Sequence, residues 1–411
     1  MTTVGVIGGG IIGSAIAAWL AGEGATVTQF ERDPDGKPAS GGNAGLLALP
    51  EISPIARPGI VAAVPGWLVD PLGPLALRWR DLPGLTPWLA RFLAAARPHQ
   101  VERATAALAF LMKTALADHI ELARRAGLSG HMRRTGALHI FAGEAGFAAA
   151  LAEWHERLRH GVAFEEISVA AARDLVPALS GPFARALLAP DYWTVSSPAA
   201  ILAALRARVS ANGRLVKSAA IGILPDSRMV SVVTADGADL AFDRVVIAAG
   251  VWSRDLVRAL GLRVALETER GYNTTYARPP IDLPLPVFFA EHGFVASPLA
   301  DGLRVGGAVE LASVDAPPNF SRAAAMRAKM RRYVPDLPEE GGVEWMGRRP
   351  STPDSLPVIG AHPGDRRIVF AFGHGHLGLT LSAVTARHVA GLLSGRAADP
   401  HLKPFVIERF Q

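Results

Sequence analysis

The first thirty-one residues constrain the fold more than any other stretch. Residues 3–7 (TVGVI) form a short apolar run of the kind that makes a buried strand. They lead into Gly8-Gly9-Gly10-Ile11-Ile12-Gly13, a Gly-x-Gly-x-x-Gly turn. Residues 12–20 continue as an apolar helix that Gly22 and Gly24 end, and residues 26–30 (TVTQF) alternate like a second strand. Glu31 follows at once. Strand, glycine turn, helix, strand and acid in this order define a dinucleotide-binding unit. Gly8 permits the tight turn, Gly10 admits a pyrophosphate to the backbone, and Gly13 lets the helix pack on the strand. The amides of Ile11 and Ile12 and the positive helix end then face phosphate. Glu31 accepts hydrogen bonds from a ribose and disfavours a 2′-phosphate. These residues alone do not separate FAD from NAD.

The same run imitates a membrane segment, since no charged residue occurs from Met1 to Gly22. The first basic residue is Arg32, so the basic flank of a signal peptide is missing, and the glycines have another use. A buried strand, turn and helix are expected. With 411 residues, 50% hydrophobic and 19% charged, the chain is globular, with two to three domains as the prior. It contains no cysteine, which excludes disulfides, thiolate metal sites and a cysteine nucleophile. The net charge is +5, but the arginines are scattered rather than clustered, so no nucleic-acid partner is expected. Attraction to anionic substrates or to an anionic membrane surface stays open.

Five further blocks carry chemistry. Residues 39–46 (ASGGNAGL) form a small-residue loop able to pass close to a ligand. Residues 245–250 (VVIAAG) read as a central parallel strand ending in small residues. Residues 373–380 (GHGHLGLT) follow a strand over 368–372 and open a helix that runs to about 393, making a second glycine-rich helix N-terminus. His374 and His376, two apart with no nearby acid, make a poor metal site, and none is expected. Gly347-Arg348-Arg349-Pro350 offers guanidinium groups suited to a carboxylate. Residues 269–273 (ERGYN) should open the antiparallel sheet of a second domain.

Together these blocks resemble the glycine oxidase and D-amino-acid dehydrogenase group of FAD-dependent oxidoreductases, through almost the whole chain. The resemblance, with its second helix N-terminus near the C-terminus, moves the choice from NAD to FAD. It implies an α/β chain: a Rossmann-like FAD-binding domain and a second α+β substrate domain built on an antiparallel sheet. It further implies that Glu31 and Arg32 hold the adenosine end, and that Ser40, Asn43, Ala44, Gly45 and Leu46 lie along the flavin. Ala249 and Gly250 would touch the cofactor, as would Gly373, Gly375, Leu377, Gly378 and Thr380. Arg349, rather than Arg348, would grip the substrate carboxylate. Tyr272 would hydrogen-bond the substrate, and His376 would have a polar role beside flavin or substrate. Leu46 and Leu47 near the flavin point to an apolar substrate side chain.

The FAD-binding domain is expected to be discontinuous, over 1–60, 180–265 and 345–411, with 61–179 and 266–344 as the substrate domain. Residues 60–98 hold Trp67, Trp79 and Trp88 among prolines and leucines, and read as a helical cap or a membrane-facing patch. The expected activity is oxidation of a small amino acid, first a D-amino acid, to the imino and then the oxo acid. Quinone is the expected acceptor in a cytoplasmic enzyme with peripheral contact at the inner membrane. The alternatives are an oxygen-using glycine, sarcosine or cyclic imino-acid oxidase, a non-catalytic flavoprotein, and an NAD-dependent dehydrogenase.

Overall fold

Strand Thr3–Ile7 and helix Ile11–Gly22 are buried almost throughout, as the uncharged run requires. The computed structural model describes residues 1–34, 36, 38–69, 73, 75–128, 130–396 and 399–411. Among these, one six-stranded sheet runs in the order Arg214–Val216, Thr26–Phe30, Thr3–Ile7, Arg244–Ile247, Asp365–Phe372, Val358–His362. The first five strands are parallel and the last is antiparallel. Side chains alternate across it: Val4, Val6 and Val246 enter the helical core on one face, and Ile7, Val245 and Ile247 the core on the other. Both faces are therefore apolar, which is why these strands read as continuous hydrophobic runs. Helices Ile11–Gly22 and Gly378–Leu393 pack on the first face, and the three-stranded sheet of residues 220–242 covers the second.

A nine-stranded sheet forms the second layer. Its central strands are Glu267–Tyr276 and Gly302–Leu311, with Val343–Ser351 at one edge. Most neighbours are antiparallel, but Val287–Phe289 joins Ala137–Phe141 in parallel, and Leu75–Leu77 joins Gly302–Leu311 likewise.

The packing differs from the expected domain boundaries in three places. Strand Arg185–Ala189 pairs with Ala137–Phe141, and Val343–Ser351 pairs with Glu267–Tyr276, so both belong to the large sheet. Helix Pro98–Ala126, expected with the substrate domain, packs Ala104, Leu108, Leu111 and Ala115 into the helical core of the first layer. A 3.6-residue periodicity can mark a helix's apolar face but does not say which core that face joins. Residues 60–98 supply helices Pro58–Val69 and Leu82–Ala95. Trp88 is buried and donates to the Ser351 carbonyl at 3.1 Å, while Trp79 is 66% exposed. The side chain of Trp67 lies outside the described residues.

Candidate active site

The two layers enclose a cavity of about 1170 Å³. That exceeds the roughly 300–1,000 Å³ of a small-molecule site and suits a dinucleotide with a substrate beside it. At one end the glycine turn has the geometry its spacing implies. Gly8 has φ 119°, and a Cβ there would stand 2.2 Å from the Ala248 carbonyl oxygen. A Cβ on Gly13 would fall 2.0 Å from the Gly8 oxygen, so helix and turn touch backbone to backbone. A Cβ on Gly10 would meet only Ser40 Oγ, at 3.9 Å, so Gly10 opens onto the cavity. Ser40 Oγ accepts from the Ile11 amide at 3.1 Å, and Ile11 and Ile12 line the space in front of the helix. This open cradle at a helix N-terminus fits a pyrophosphate.

Glu31 lines the cavity beside this turn. It accepts from the Gly9 amide at 2.8 Å and the Asp33 amide at 3.0 Å, and its remaining lone pairs can take ribose hydroxyls. Arg32 lies over the Trp252 ring at 4.4 Å. Arg206, from helix Pro198–Asn212, donates to the Gly9 carbonyl at 2.8 Å and sits 3.4 Å from Glu31. Sequence reading missed it, because an arginine on a remote helix carries no motif.

The loop of residues 39–46 is pinned to the large sheet. Asn273 Nδ2 donates to the Gly42 carbonyl at 2.9 Å, and Arg304 donates to the carbonyls of Gly41 and Asn43 at 3.0 and 2.6 Å. Asn43 Oδ1 accepts from the Gly45 amide at 2.8 Å, and Gly45 has φ 73°. Thr380 ties the loop to the C-terminal helix by accepting from the Ala48 amide at 3.0 Å. Ser40, Asn43, Ala44, Leu46, Ala249, Gly250, Gly373, Gly375, Gly378 and Thr380 all line the cavity. Gly13, Gly45 and Leu377 do not line it and stand behind the wall.

Strand alternation sorts the candidate substrate residues. Glu269 and Arg349 are register partners, as are Arg270 and Arg348. Arg349 lies over Gly271 on the cavity side and makes no hydrogen bond or ion pair among the described residues. Burial lowers its pKa, and the nearby Glu269 opposes that shift. Arg348 instead donates to the Val314 carbonyl at 2.8 Å. Tyr272 borders the cavity, but its hydroxyl is bonded to Glu310 and accepts from the Asn319 amide at 2.9 Å. Burial, with Glu310, pushes that phenol up to about 12. His376 lines the cavity.

The far wall is charged, and sequence reading missed it entirely. Tyr192 donates to Glu51 at 2.6 Å, and Arg157 bridges Glu51 at 3.0 Å and Glu153 at 2.6 Å. Arg57 also reaches Glu153, at 2.7 Å. Burial raises the Glu51 pKa, but Arg157 and the Tyr192 hydroxyl outweigh it and hold the carboxyl at about 2. Beside them His139 stacks on Phe288 at 4.3 Å. Leu47 is fully buried in the helical core, so of the two leucines only Leu46 reaches the cavity.

Comparison with known proteins accords with this arrangement. The pattern of the family described as DAO, FAD dependent oxidoreductase, matches residues 3–392. The chain is 38% identical to a D-amino-acid oxidase of Bradyrhizobium diazoefficiens, over 99% of this chain and 98% of that one. It is 33% identical to a D-amino acid dehydrogenase of Paramagnetospirillum magneticum, over 98% of each. Glycine oxidase from Geobacillus kaustophilus has the same fold, with TM-score 0.75, 25% identity and 99% of each chain covered. The chain belongs to the FAD dependent oxidoreductase family.

Proposed function

We propose that this protein oxidises a free amino acid, first a D-amino acid, to the imino acid, which water hydrolyses to the oxo acid. One observation carries the reading: Arg349 is a cavity-lining cation that, among the described residues, makes no hydrogen bond or ion pair, with Glu269 as the nearby opposite charge. A carboxylate entering this site loses hydration, and a fixed guanidinium offsets that cost with two parallel hydrogen bonds. The relatives named for D-amino acids support the substrate class. Bound FAD supplies the hydride acceptor. The glycine turn, Glu31 and the 39–46 loop would hold it, and Arg349 would orient the substrate against it. Anaerobic mixing with a panel of D- and L-amino acids tests the proposal. Flavin bleaching by D-amino acids is expected, and no bleaching by any amino or imino acid would overturn it.

Quinone is the proposed electron acceptor. The relatives named dehydrogenase support it. So do the exposed apolar Trp79 and Leu93, which suit a membrane surface. Among the described residues no helix is long and apolar enough to cross a membrane. The relative named D-amino-acid oxidase favours oxygen instead. Substrate-reduced enzyme should reoxidise rapidly with a soluble quinone and slowly with oxygen; rapid hydrogen peroxide production would make it an oxidase.

A further inference from the structure

The antiparallel pair that carries Arg349 also carries an acid on the same face. Glu269, on strand Glu267–Tyr276, is the register partner of Arg349 on Val343–Ser351. Strand alternation puts Glu269 and Gly271 on one side, while Arg270 between them points away and donates to the Ser313 and Pro317 carbonyls. Glu269 and Arg349 both line the cavity. Glu269 is 5% exposed, and its Oε2 has no hydrogen-bond partner among the described residues. Burial pushes its pKa up, and the nearby Arg349 and Ser351 oppose that shift. The two charges feel each other, yet among the described residues no ion pair joins them.

Gly271 accounts for the gap. The Arg349 guanidinium lies over Gly271, two residues further along the strand than Glu269. Two residues of an antiparallel strand span about 6.8 Å. One face of one strand therefore presents a carboxylate and, offset by about that distance along the backbone, a guanidinium. An α-amino acid carries the complementary charges, carboxylate and ammonium, on a single carbon. Its carboxylate on Arg349 and its ammonium on Glu269 would each make charge-assisted hydrogen bonds of about 2.8 Å. A buried carboxylate without a partner is costly, and an arriving ammonium offsets that cost as the substrate carboxylate does for Arg349.

We propose that Glu269 binds the substrate ammonium, so that Glu269 and Arg349 together form a dipolar site matched to the zwitterion of an α-amino acid. This inference rests on the amino-acid reading above and gives it a second point of attachment. It also says what the site rejects. A carboxylate that lacks an ammonium leaves Glu269 unpaired beside a second anion, and an amine that lacks a carboxylate leaves Arg349 unpaired. Glu269 acts in binding and orientation, so its loss falls mainly on KM.

The test compares an amino acid that bleaches the wild-type flavin with the same molecule bearing hydrogen in place of the ammonium, such as D-alanine and propionate. Both are applied to wild-type and Glu269→Gln holoenzymes. Perturbation of the flavin spectrum gives the propionate dissociation constant, and anaerobic flavin reduction gives the saturation curve for D-alanine. In Glu269→Gln the half-saturating D-alanine concentration should rise about 10- to 100-fold, the size of one charge-assisted hydrogen bond. Propionate should bind about three- to tenfold more tightly, because a like charge near Arg349 has been removed. Glu269→Asp keeps that charge, so propionate should bind as it does to wild type, and D-alanine should be affected less than in Glu269→Gln. Weakening of both ligands together would make Glu269 only a structural support of Arg349. Unchanged D-alanine saturation would place the ammonium elsewhere. Either result overturns the role of Glu269. If propionate binds but no amino acid reduces the wild-type flavin, the amino-acid reading itself fails.

Discussion

The guanidinium of Arg349 lies against the α-carbon of Gly271, so close that a Cβ on Gly271 would stand 2.3 Å from Arg349 Nη2. The glycine is thus the platform on which the candidate carboxylate anchor rests. Gly271→Ala should leave folding and flavin content intact but push the guanidinium away. A displacement of about 1 Å costs roughly 10²-fold in a well-oriented site. Steady-state kinetics should show that loss in kcat/KM for amino acids, and an unchanged value would separate Arg349 from substrate binding.

Arg349→Lys keeps the charge and loses the planar fork. The apparent KM should rise about 10- to 100-fold, the size of one charge-assisted hydrogen bond of roughly 1.5–3 kcal/mol. Arg348→Lys should be milder, because Arg348 is engaged with the Val314 carbonyl. The reverse order of effects, measured on holoenzymes of equal FAD content, would place the anchor at Arg348.

Glu31→Ala should weaken FAD binding by about 1–3 kcal/mol. Part of that loss would come through the glycine turn, since Glu31 also holds the Gly9 amide. Titration of apoprotein with FAD gives the dissociation constant, and an unchanged value would show that Glu31 does not bind the ribose.

Glu51 should make stability pH-dependent. Its folded pKa, about 2, lies below the ordinary 4.5. A depressed carboxylate contributes fully above its unfolded pKa, and the contribution is lost as pH falls through the folded one. Urea unfolding of wild type and Glu51→Gln should therefore differ by about 2–3 kcal/mol near neutral pH, and the two should converge between pH 4.5 and about 2. A difference independent of pH would mean that the Glu51 charge is not what matters.

The dinucleotide-binding half was legible in sequence because its determinants are local. Gly8, Gly10, Gly13 and Glu31 lie within one strand–turn–helix–strand unit, and backbone sterics and helix-end electrostatics assign each its place. Strand alternation also made Arg349 and Arg348 distinguishable in principle, once one of them faced a cavity. The tertiary structure alone decided which. It also turned the Tyr272 hydroxyl to Glu310, and left Arg349 without a hydrogen bond or ion pair among the described residues. The charged wall of Glu51, Arg57, Glu153 and Arg157, and the contact of Arg206 with Gly9, join segments about 100 to 200 residues apart. No local spacing encodes such meetings. They follow from the six-stranded and nine-stranded sheets both bordering one cavity, with the direction of each side chain set by strand register and helix phase.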